Sequence, residues 1–300
     1  MPMIPKHHRY SYSPIDRRPD YSWPGGKRLA FWIGTNIEVF AFGAGMGPDP
    51  VMPGEPTNQR NFAWRDYGNR VGVWRLFDLF DELKLPCSCI VNSLVYEHHP
   101  EIFERIRARG DDIIGHGRTN AERQRGLWET DERRLIEDAT ETIRRHEGRA
   151  PKGWLGAGAV ETNVTLDLLA AAGYKYVLDW PCDDQPIWLS TTGGKILNVP
   201  YPMELNDIGQ IVQRQHNARE FADMIVDQFD RMIQQCVQQP LVCVVSLHTY
   251  IVGQPFRLGP LQSALEHIVR HPQRERVWFT RADEIADFCY SLPAGIIPGG

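Results

Sequence analysis

The sequence predicts an α/β protein built as one distorted TIM-like barrel, a (β/α)7-like arrangement, preceded by an extended N-terminal arm. Three observations carry this. Continuous apolar stretches such as PLVCVVSLH alternate with amphipathic helical segments, the pattern of a parallel sheet covered by helices. No composition break divides the 300 residues, a length that suits one large barrel better than two smaller domains. No glycine-rich dinucleotide fingerprint follows any strand, which argues against the main rival, a doubly wound open sheet.

The elements follow in order. Residues 1–28 are rich in Pro, Tyr, Ser and Arg and suit an arm laid on the surface or on a neighbouring subunit; residues 29–290 form the barrel domain and 291–300 a tail. RLAFWIGTNIEVF reads as a buried strand, followed by a Gly/Pro-rich loop from Gly43 to Asn58. Residues 70–84 place Val73, Leu76, Phe77 and Phe80 on one helical face. PCSCIVN is a strand opened by Pro86. PEIFERIRARG is a helix with Pro100 at its start and Gly110 past its end. DDIIGH is the next strand, 130–147 an amphipathic helix, TLDLLAAAG a helix stopped by Gly173, and YKYVLDW a strand. Over 217–236, Asn217 and Glu220 form a capping box ahead of a stripe of Phe221, Met224, Ile225, Phe229, Met232 and Ile233. The strand PLVCVVSLH then ends at His248, and helix 260–270, the strand RVWFT and the helix ADEIADFCYSL complete the series.

Hydrophobic residues make up 42% and charged residues 24%, and the net charge of −5 gives no reason to expect nucleic-acid or anionic-membrane binding. No apolar run approaches the roughly 20 residues that span a bilayer, and the first residues have no apolar core of a secretory signal. The expectation is a cytoplasmic protein. The six cysteines include no C-x2-C pair, so a structural zinc site is not expected; they read as buried small hydrophobes, Cys87 and Cys89 on one face of a strand. The Pro/Tyr-rich arm has too few aliphatic residues to pack alone and suits subunit contacts, so a homo-oligomer is expected.

In a parallel barrel the chemistry collects where strands end. The polar residues that end the apolar runs are Asn36 and Glu38, His116, Asp179 with Asp183 and Asp184, and His248. Two histidines, carboxylates and an amide on one face make a usable hydrolytic set. Each also has a plain structural reading. Glu38 suits a loop cap or an arginine partner, and His116 a hydrogen bond within its Gly-His-Gly turn. His248 suits a buried neutral ring, and Asp183–Asp184 a turn before Pro186.

GHGRTN at 115–120, PKGW at 151–154, LLAAAGYKYVLDWPCDDQPIW, SLHTYIVGQPFR and VWFTRADEIA resemble the polysaccharide deacetylase (NodB-type) superfamily, in the expected order across roughly residues 28–290. RDYGNRVGVWRLFDLFDE, at 65–82, is similar to the branch of metal-independent allantoinases and related peptidoglycan-deacetylase-like proteins. The resemblance implies a distorted barrel of the polysaccharide deacetylase type that hydrolyses a C–N amide bond. It also implies departures. The acidic pair of metal-dependent members falls on Asn36 and Glu38, their H-x3-H motif on His116 and Asn120, and their base-holding arginine near Leu155. The late L-x-H motif survives as Leu247-His248 after Ser246. Glu38 and His116 would be the metal ligands if an ion is held, and a neutral Asn120 amide is a poor third.

The expected activity is hydrolysis of a small amide or cyclic amide, allantoinase-like, with Glu38 as base, His248 as acid and His116 polarising the carbonyl. Burial beside Trp32 and Phe40 is expected to raise the Glu38 pKa toward neutrality. Asn36, Asn120, Trp154, Asp183 and Asp184 are expected to shape the substrate pocket. No cofactor is required, or a weakly held divalent metal such as zinc assists. Two alternatives remain: a metal-assisted N-deacetylase of an acetylated amino sugar, and a non-catalytic barrel that binds a small molecule.

Overall fold

The computed structural model describes residues 6–45, 47, 49, 51, 52 and 58–300. The Gly43–Asn58 loop and the start of the arm lie partly outside the described residues. The strands are β1 (Leu29–Ile37), β2 (Ser88–Val91), β3 (Asp112–Gly115), β4 (Gly153–Trp154), β5 (Tyr176–Val177), β6 (Ile187–Thr191), β7 (Gly194–Asn198), β8 (Leu241–His248) and β9 (Val277–Phe279). The helices are α1 (Gln59–Tyr67), α2 (Val73–Leu83), α3 (Val95–His98), α4 (Pro100–Arg109), α5 (Glu129–Glu147), α6 (Thr165–Ala171), α7 (Ala218–Gln235), α8 (Thr249–Val252), α9 (Pro255–Val269) and α10 (Ala282–Ser291).

The strands form one curled sheet in the order β6-β7-β5-β4-β3-β2-β1-β8, with β9 added on β1. This is the distorted barrel the sequence predicts. It is not fully closed by strand pairing. Between β6 and β8 runs a seam, bridged where Val242 N–H donates to the Asp184 carbonyl at 2.9 Å and where Asn206 bridges Ser246.

Strand parity builds the two cores. On β1, Phe31, Ile33 and Ile37 face the helices, where they meet Phe77, Phe80, Ile225 and Phe229. Ala30 and Trp32 face inward, with Ile90, Ile114, Tyr176, Leu197, Val242 and Val244. Because side chains alternate along a strand, Asn36 continues the inward row of β1, and Ser246 and His248 continue that of β8. Helices α2, α5 and α7 are amphipathic as expected. α7 carries the Asn217–Glu220 capping box, and Gly110 ends α4 at φ +71°.

Two expectations are corrected, and a strand lies where none was expected. The sheet is not wholly parallel, because β6 and β7 form an antiparallel hairpin turned at Thr192–Gly193. The short strand β4 lies within PKGW, where a β-carbon on Gly153 would sit 2.1 Å from the Tyr176 ring. The helix expected from Pro260 begins at Pro255, with Pro260 inside it, so a proline there marks no boundary.

The arm binds its own barrel. Arg9 pairs with Asp167 at 2.8 Å and Arg18 with Asp183 at 2.6 Å, while Trp23 is buried against Trp278 and Phe288. Five cysteines are buried, but Cys182 is exposed, since it lies in the irregular segment before β6. No helix among the described residues is long and apolar enough to cross a membrane.

Candidate active site

The ends of β1, β3 and β8 bring Glu38, His116 and His248 together. All three are buried, at 4%, 2% and 6% exposure. His116 Nε2 lies 3.4 Å and His248 Nε2 3.7 Å from the same carboxylate oxygen, Glu38 Oε1. The other oxygen, Oε2, is enclosed and meets no protein donor.

Each histidine is anchored through its far nitrogen. His116 Nδ1 lies 2.7 Å from the Leu155 carbonyl, which only accepts, so Nδ1 carries the proton. His248 Nδ1 lies 2.7 Å from Asp207 Oδ1, and Asp207 Oδ2 accepts the His248 backbone N–H at 2.7 Å. Both Nε2 atoms therefore face Glu38 Oε1.

The electrostatics follow from this enclosure. Burial opposes the imidazolium of His248, but Asp207 and Glu38 outweigh it and hold the pKa above its ordinary value. Burial also pushes Glu38 upward, but His248, His116 and Arg65 reverse this and leave the carboxyl below its ordinary value. The expected rise of Glu38 toward neutrality is thus corrected, because the flanking charges outweigh the apolar wall. For Asp207 burial prevails over His248, and its pKa is raised.

The remaining expected site residues divide. Asn36 faces inward but its amide is committed to the Tyr201 hydroxyl at 2.9 Å and the Leu247 carbonyl at 3.1 Å. Asn120 donates its backbone N–H to the Val39 carbonyl at 2.8 Å, beside Glu38, and its enclosed Oδ1 meets no protein donor. Trp154 is fully buried in the core beneath α5 and α6, its indole N–H on Gln124 at 3.1 Å, and offers no surface to a ligand. Asp183 and Asp184 are not brought to the histidines. The Asp184 carbonyl is bonded to Val242, six residues and about 20 Å along β8 from His248. Both line a cleft of about 1070 Å³ that follows the seam and touches the site's surroundings through Tyr201, Leu205 and Gln210.

Sequence reasoning missed Asp207 and Arg65. Asp207 caps the short helical turn Ile208–Gln213 and follows no strand, so it carries no strand-end signature. Arg65 lies in α1, stacked 4.5 Å over the Phe40 ring and donating to the Tyr250 hydroxyl at 3.0 Å.

The donor chemistry around Glu38 is of the kind that holds metals, since each histidine is oriented by an acceptor behind it. The geometry does not close around one ion. Among the described residues, the only three such donors whose ligand atoms all lie within 4.8 Å of one another are Asp230, His267 and His271, between α7 and α9. The two Nε2 atoms flank Glu38 rather than enclose a common point.

The curled α/β barrel is the fold of a solved structure assigned to the polysaccharide deacetylases, and residues 64–177 match the family described as polysaccharide deacetylase. The class comprises hydrolases of non-peptide C–N bonds. The chain is 26% identical over 283 residues to a Schizosaccharomyces pombe protein assigned to the polysaccharide deacetylases, covering 87% of this chain and 85% of that one. Among solved structures it is similar to the Puue allantoinase, with a TM-score of 0.80 at 26% identity over 94% of this chain and 95% of the other. It is also similar to a Pseudomonas aeruginosa PAO1 protein assigned to the polysaccharide deacetylases, with a TM-score of 0.77 at 26% identity over 90% and 93%.

Proposed function

We propose that the protein hydrolyses the C–N bond of a small amide or cyclic amide without a bound metal. The observation that carries this is the Glu38 carboxylate, ionised between two anchored histidines, with its second oxygen enclosed and unpartnered. Glu38 Oε2 accepts a proton from the attacking water as the new C–O bond forms. The His248 imidazolium, kept charged by Asp207 and Glu38, gives its Nε2 proton to the nitrogen as the C–N bond breaks. Glu38 then returns its proton through a solvent water to His248 Nε2, which lies 3.7 Å from the carboxyl's other oxygen, Oε1, and the site is reset. As the imidazolium, with Nδ1–H held by the Leu155 carbonyl, His116 polarises the substrate carbonyl through Nε2–H.

The test is turnover of a panel of cyclic ureides, imides and N-acetyl sugars by the wild type, Glu38→Gln and His248→Ala. The expected loss is about 10²–10⁴-fold for each variant. A substrate turned over at full rate by His248→Ala would remove His248 as the acid. Metal-assisted N-deacetylation of an acetylated amino sugar is the second reading, favoured by the assignment of the Schizosaccharomyces pombe relative and by the acceptor behind each histidine. A stoichiometric ion in purified protein, with activity lost in chelator, would favour it over the first.

A further inference from the structure

We infer that Asp179 and Glu161 form an acidic subsite that takes a cationic or N–H-rich group of the ligand, such as an amine or amidine. The inference rests on the hydrolytic reading above and adds the chemistry of the substrate's distal end. Asp179 follows β5 and Glu161 lies on the loop between β4 and α6, so both sit at the rim where strands end.

Each carboxyl has one oxygen held and one left over. Asp179 Oδ1 accepts the Gly156 N–H at 2.8 Å, and Glu161 Oε2 accepts the Trp180 indole N–H at 3.0 Å. Asp179 Oδ2 and Glu161 Oε1 are enclosed and meet no protein donor. Buried polar oxygens are rarely left without a partner, and two orphaned acceptors on neighbouring carboxyls mark a place for donors the chain does not supply.

The rim is built to hold these groups. A β-carbon on Gly156 would lie 3.0 Å from Asp179 Oδ1 and 2.7 Å from Gln124 Oε1, so only glycine lets the loop approach this closely. Of the cations nearby, Arg9 is engaged by Asp167 and by the Asn163 and Ser190 carbonyls, and Arg123 packs against Gly158. Burial, and for Glu161 the nearby Asp179, raise the two pKa values to about 7 and about 9, opposed by Gly156 N–H and His116 at Asp179 and by Trp180 and Arg9 at Glu161. A bound cation would supply the missing compensation and displace protons.

Calorimetric titration of the whole protein with benzamidine and methylguanidine at pH 8, in two buffers of different ionisation enthalpy, tests this. The expected result is saturable binding with proton release, weakened about tenfold or more in Asp179→Asn and Glu161→Gln and retained in His248→Ala. Both substitutions keep the oxygen that Gly156 or Trp180 donates to, and unchanged thermal unfolding confirms the fold. No saturable binding of either probe, or equal binding by both variants, would overturn the inference. Because the readout is binding, a protein that hydrolyses nothing leaves this result standing, and a failed titration leaves the hydrolytic reading standing.

Discussion

Replacing Asp207 by asparagine isolates the charge behind His248. Asp207 is fully buried, and its two oxygens accept the Nδ1–H and the backbone N–H of the same histidine, each at 2.7 Å. Asparagine fills the same space but offers one acceptor oxygen, so one His248 donor then faces an amide NH2. A hydrogen bond to a charged group contributes about 1.5–3 kcal/mol. At about 1.4 kcal/mol per pH unit, its loss lowers the His248 pKa by about one to two pH units. The wild-type pKa is raised above the ordinary histidine value, so a reaction that needs the imidazolium falls only as pH rises through that raised value. In Asp207→Asn the alkaline limb of the rate profile should move down by the same one to two pH units. The assay is the pH dependence of turnover, paired with NMR titration of the His248 ring. A folded variant with an unshifted limb and an unshifted ring titration would refute the reasoning.

Stability should follow the same charges. The lowered Glu38 pKa contributes stability above 4.5 that is lost as pH falls through the folded value, and the raised His248 pKa contributes stability below 6.5 that is lost as pH rises through its folded value. The unfolding free-energy difference between wild type and Glu38→Gln should therefore be largest between pH 4.5 and 6.5; a difference flat from acid to alkaline pH in urea titrations would show that the pairing is not ionic. Gly72→Ala should destabilise by about 1–3 kcal/mol, because its β-carbon would lie 2.0 Å from the Thr249 carbonyl oxygen just beyond β8; denaturant unfolding measures this, and an unchanged midpoint would contradict the close packing. Arg18→Ala leaves the Asp183 carboxylate without its buried partner and should cost about 1–3 kcal/mol, with faster proteolysis inside residues 6–22; an equally resistant arm would show that Arg9 and Trp23 hold it without Arg18.

Much of the site was legible because its carriers end strands. Asn36, Ser246 and His248 share parity with inward residues on their own strands, a property of a few consecutive residues. Asp207 was not legible, since its role depends on meeting a histidine 41 positions later. Asp183 and Asp184 follow a strand in sequence, yet the chain carries them across the seam, so order along the chain misplaced them. The two-residue β4 and β5 are too short to show any period, and the β6–β7 hairpin was missed although Thr-Gly-Gly at its turn is a hairpin signal.

By itself the sequence determined the barrel, the helices and the inward rows that deliver Glu38, His116 and His248, because hydrophobic period is a local property of backbone geometry. Only the tertiary structure decided the state of those groups. Whether Glu38 is raised by its apolar wall or lowered by two histidines depends on separations of 3.4 and 3.7 Å between residues far apart in the chain. Charge interactions change steeply over such distances, and no pattern along a single strand encodes them.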